Sequence, residues 1–160
     1  MPKFVAIIGG RNAGKSTIIK SLTGCRTSAF RGLVEDNLTK QSVYVVCSSP
    51  QELAFSIQKL KRILQFVASK SGCQGVVMAI QPNQPTKRLS MESIFREVTA
   101  FGNFTVHAFI VDPGRNKVPA GGPAIKARLK VMSLKASLLD GRRFSLVNAK
   151  AINRATQIAS

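Results

Sequence analysis

Nine consecutive residues, Gly9-Gly10-Arg11-Asn12-Ala13-Gly14-Lys15-Ser16-Thr17, combine glycines, a lysine and hydroxyls at a spacing suited to phosphate. Gly9, Gly14, Lys15 and Ser16 fill the fixed positions of the pattern G-x-x-x-x-G-K-[ST]. Glycine at the first and sixth positions frees the backbone to turn successive N–H groups toward phosphate oxygens. A helix opening near Lys15 adds the positive end of its dipole. Lys15 supplies a point charge for the β- and γ-phosphates, and the Ser16 hydroxyl is placed to hold Mg²⁺.

Such a loop must be held between a strand and a helix. Phe4-Val5-Ala6-Ile7-Ile8 is a continuous apolar run with β-branched residues, the pattern of a buried parallel strand. Ile18, Ile19 and Leu22 follow at helical spacing. From Val5 through Leu22-Thr23-Gly24 the chain resembles the opening of a P-loop GTPase of the translation-factor and Ras-like class. Asn12 and the Ser16-Thr17 pair are common in bacterial-type members. ATP-binding cassette proteins open similarly, so the stretch implies GTP or ATP with Mg²⁺ and does not choose between them.

The remaining motifs of that class are altered. The second apolar run, Val43 to Cys47, leads into Ser48-Ser49-Pro50-Gln51, where the family carries D-x-x-G. Ser48 replaces the carboxylate that holds the metal-bound water. Gln51 and Glu52 stand where a water could be oriented, but Ser49-Pro50-Gln51-Glu52 also reads as a helix start. Thr27 and Thr39 lie in the segment corresponding to switch I. The apolar run Thr105 to Val111 ends in Asp112, which suits a metal-side acid or the first residue of a D-P-G turn. Asp112-Pro113-Gly114-Arg115 occupies the place of N-K-x-D, so the guanine-reading residues are missing. Asn148-Ala149-Lys150 resembles the S-A-K loop that backs the base, with Asn148 departing from it. His107 has no Cys or His at ligand spacing and reads as structural.

Charge is the second signal. The 160 residues carry 24 Lys and Arg against 7 acids, a net +17. That implies a polyanionic partner, with nucleic acid favoured over an acidic protein or an anionic membrane surface. From Pro113 onward there are ten basic residues and one acid. Lys126, Arg128, Lys130, Lys135, Arg142 and Arg143 are the candidate contacts. Aromatic residues are 6% of the chain, too few for a platform that stacks bases. Three widely spaced cysteines, without a C-x-x-C pair, predict neither a disulfide framework nor a zinc site. With no signal peptide or membrane-length apolar run, a cytoplasmic location is expected.

The predicted architecture is one α/β domain over residues 1–160, a three-layer sandwich with a mostly parallel five- or six-stranded sheet. Helices are expected over 50–69, from Ser90, and from Ile125 to Leu139, with a last strand at Phe144–Val147 and a short helix after it. The order of elements follows Ras-like topology. Three functions are open: a nucleotide-dependent switch or weak NTPase, a pseudo-GTPase serving as a structural subunit of a larger assembly, and a small-molecule phosphotransferase. The last is disfavoured because no arginine-bearing lid insertion appears.

Overall fold

A computed structural model describes every residue except 51–54, 84–88, 118, 120 and 160. Strands and helices alternate: β1 (Lys3–Ile8), α1 (Lys15–Thr23), β2 (Arg31–Glu35), β3 (Ser42–Val46), α2 (Ile57–Ser69), β4 (Cys73–Ile80), α3 (Met91–Phe101), β5 (Thr105–Val111), α4 (Gly122–Val131), β6 (Ala136–Leu139) and α5 (Ser145–Thr156). The six strands form one sheet in the order β2-β3-β4-β1-β5-β6. All are parallel except β2, which runs antiparallel to β3.

The apolar runs are continuous because the central strands are covered on both faces. Phe4, Ala6 and Ile8 of β1 join a core with Leu60, Ile94 and Ile125, so α2, α3 and α4 cover one face. Val5 and Ile7 point the other way, into a core with Ile19, Ala149 and Ile152 of α1 and α5. Parallel strands bring their carboxyl ends to one edge of the sheet, the usual ligand edge of an open α/β fold. The turns after β1, β3, β5 and β6 meet there.

Four expectations need correction. In a Ras-like sheet the third strand pairs directly with the phosphate-loop strand. Here β4 lies between β3 and β1, so the Ras-like order does not hold. The helix expected over 50–69 begins at Ile57, with Ser56 Oγ accepting from Lys59 N–H. Ser49 is buried, and Gln51, Glu52 and Leu53, on which the expected helix start also rests, lie outside the described residues. The helix from Gly122 ends at Val131, where a turn through Ser133 in the left-handed region leads into β6. Helical spacing persists through Met132, Ala136 and Leu139, but that turn uncouples the two segments. Residues 144–147 are not a strand. They open α5 and leave Phe144, Leu146 and Val147 exposed, while Asn148, Ala149 and Ile152 turn inward. No helix among the described residues is long and apolar enough to cross a membrane.

Candidate functional site

The glycine-rich loop leaves β1 with Gly9 N–H donating to Ile80 O at 3.0 Å. Asn12 (φ 63°) and Gly14 (φ 99°) are both left-handed, which turns the chain sharply into α1. Asparagine tolerates that region better than most side chains, and glycine takes it freely. Ile18 N–H then donates to Gly14 O, the first turn of α1. Lys15 is only 6% exposed. Its ammonium donates to Gly9 O at 2.8 Å and Gly10 O at 2.7 Å, across the concave side of the loop. A cavity of about 550 Å³ opens there, lined by all residues from Arg11 to Thr17 and by Ser28, Ser48, Ser49 and Arg115.

The far wall is made of hydroxyls. Ser16 Oγ donates to Cys47 O at 3.0 Å, joining the start of α1 to the end of β3 across β4. Ser48 Oγ donates to Ser28 O. Ser28 was not legible in the sequence. It arrives because antiparallel β2 starts at the ligand edge, with Arg31 opposite Val46 and Cys47 N–H bonded to Phe30 O. Thr27 is exposed and does not line the cavity. Thr39 sits in the β2–β3 hairpin at the opposite edge, where Asp36 Oδ1 accepts its N–H. Neither threonine therefore meets Ser16. Burial pushes the Cys47 thiol up to about 12, with nearby Cys25 acting in the same direction, so it stays protonated beside Ser16.

Asp112 is elsewhere. Its Oδ2 accepts from Gly122 N–H at 2.7 Å, at the first turn of α4, and the residue lines a separate 430 Å³ depression with Pro113, Leu138 and Asp140. Its carboxylate thus meets the start of α4 and does not line the Lys15 cavity. The Asp112-Pro113 peptide is cis. What the turn delivers to the cavity is Arg115. Arg115 N–H donates to Ala13 O at 2.9 Å, and its Nη1 to Thr17 Oγ1 at 3.4 Å. Gly114 allows this approach, since a Cβ there would stand 3.1 Å from Ala13 Cα. Arg115 and Thr17 also line a 220 Å³ recess completed by Gly141 to Ser145, with Phe144 on its rim.

Asn148, Ala149 and Lys150 are helical, not a loop backing a base. Asn148 is buried and donates through Nδ2 to Asp140 O at 2.9 Å, and Ala149 belongs to the core. No Asp or Glu lines the 550 Å³ cavity among the described residues, and no cluster of three His, Cys, Asp or Glu is found among them.

The basic residues divide. Arg128 is engaged, donating to Glu92 Oε1, Pro82 O and Asn83 Oδ1. Arg142 grips Asp140 through Nε at 3.0 Å and Nη2 at 2.9 Å, holding that carboxyl down at about 2. Arg143 lines the two small cavities at the ligand edge. Lys126, Lys130 and Lys135 gather at the opposite end of β5 and β6. No protein-family model matches this chain, and no curated protein matches it.

Proposed function

We propose that the chain is a P-loop nucleoside-triphosphate-binding protein that uses Mg²⁺ and turns its nucleotide over slowly. The observation that carries this reading is the buried Lys15 ammonium, held across the concave face of a left-handed glycine turn at a helix start. The fixed charge of Lys15 and the start of α1, with its helix dipole, border one cavity of a size suited to a phosphate chain. The donor set fits Mg²⁺ held by the Ser16 hydroxyl together with phosphate oxygens and water. When bound, the metal would neutralise phosphate charge. Arg11 and Arg115 supply two further cations at the cavity wall.

Guanine-specific GTPase activity of the Ras-like kind is not part of the proposal. Arg115 and Asp140-Gly141-Arg142-Arg143 occupy the turns after β5 and β6, and β1 lies between β4 and β5 rather than beside β3. The carboxylate-free lining also favours a second reading, a nucleotide-binding structural subunit without turnover.

Calorimetric titration with ATP and with GTP, each with Mg²⁺, tests the proposal. Lys15→Ala is expected to weaken triphosphate binding at least tenfold, about 1.4 kcal/mol. Ser16→Ala should lower the Mg²⁺ dependence and serves where the lysine variant folds poorly. Undiminished binding in both variants sinks the assignment. Turnover well below the median enzyme value of about 10 s⁻¹ is expected, and none at all selects the structural-subunit reading.

A further inference from the structure

β5 starts at Thr105, but its outer neighbour β6 begins only opposite Ala108. Thr105, Val106 and His107 thus pair with β1 on one side and with no described strand on the other. Beneath the start of β6 this leaves an open slot of about 790 Å³, at the end of the sheet away from the phosphate-type loop. Lys126 and Lys130 flank it from α4, and Lys135 from the turn into β6. All three are exposed, and none makes an ion pair or side-chain hydrogen bond with a described residue. No carboxylate lines the slot among the described residues.

We propose that this slot binds a single nucleic-acid strand by its phosphates, independently of the nucleotide cavity. Lys126 and Lys130 stand one helical turn apart, with Cβ atoms about 6 Å from each other, so they can serve neighbouring phosphates. Lysine is a point charge that imposes no fixed orientation on its anion, unlike the arginine fork that matches a carboxylate. That favours a repeating phosphate backbone over a particular acidic peptide. The lining holds two rings, Phe109 buried at 5% exposure and the half-buried His107, so bases find no exposed stacking platform and sequence goes unread. The concave shape suits a strand better than the plane of a membrane.

The test is fluorescence anisotropy with labelled single strands of mixed sequence and of oligo-dT, over a salt series from about 50 to 200 mM. Three neutralised phosphates give a log–log salt slope of about −2 on single strands. Replacing Lys126, Lys130 and Lys135 together by Gln should remove that slope and weaken binding at least tenfold, with an unchanged unfolding midpoint. Lys15→Ala should leave strand binding as it is. Absence of salt-sensitive binding at about 50 mM, or full binding by the triple variant, overturns the proposal. Tighter binding of polyglutamate than of any strand also overturns it and assigns the slot to an acidic protein.

Discussion

Replacing Asp112 separates the metal-side role that the sequence allows from the bond to the start of α4 that the structure shows. The carboxylate Oδ2 lies 2.7 Å from Gly122 N, and Gly122 is buried at the start of α4. Asp112→Ala removes the acceptor and strands a buried N–H, a cost of about 1–3 kcal/mol. The helix also loses an anion at its positive end, about 0.3–1 kcal/mol. Taken together, about 2 kcal/mol of stability should be lost. In a domain of this size that lowers Tm by roughly 4–8 °C. Asp112→Asn keeps an acceptor oxygen and should lose only the charge contribution, about 0.3–1 kcal/mol. Urea denaturation of both variants, run beside a phosphate-release assay with ATP and GTP, measures the two roles at once. Whatever turnover the parent protein has should survive Asp112→Asn within a few-fold. Turnover abolished by Asp112→Asn at unchanged stability would refute the capping role and return Asp112 to the metal.

Base discrimination should be weak, because Arg115 and Arg142 border the recess beside Thr17 where a base-reading carboxylate would be needed for guanine. A GTP-to-ATP affinity ratio above a hundredfold in calorimetry would contradict this. His107 is held below its usual range, first by burial and then by the charge of Lys3, so the fold favours the neutral ring. The stability this contributes is complete above the unfolded value of about 6.5 and is lost as pH falls through the lower folded value. The urea midpoint should therefore drop between pH 7.5 and pH 5, and His107→Gln should flatten the drop. Asp140 does not interfere, since a carboxyl held at about 2 titrates below this window. A midpoint that rises on acidification, or a drop that survives the substitution, contradicts the assignment.

Where local chemistry alone determines structure, it was legible. Glycines, Lys15 and an apolar run specify strand, loop and helix without help from the rest of the chain. Ser90 likewise marks the start of α3, and its Oγ accepts from Ser93 N–H. The carboxyl-terminal third was less legible because apolar spacing is ambiguous in short segments. Ala136-Ser137-Leu138-Leu139 is only four residues long and stays in phase with the preceding helix, so nothing in its composition announces an edge strand. Phe144, Leu146 and Val147 suggest burial, yet Phe144 is 86% exposed. Tertiary placement was invisible altogether. Ser28 and Arg115 reach the cavity through strand order and a turn packed on Ala13, which no spacing in the sequence encodes. Arg128 looked like a free surface cation, and only the fold brings Glu92 to it.

The two outermost strands have a colloidal consequence. β2 and β6 border the sheet, so each offers an edge to another chain. Both are short, five and four residues, and every copy of the molecule carries +17. Mutual repulsion keeps those edges apart in dilute salt. A polyanion that cancels the charge removes the barrier as it binds. Turbidity should then be greatest near charge equivalence, about seventeen phosphates per chain, and clear again when either component is in excess. Handling the protein with nucleic acid therefore calls for a ratio well away from that point.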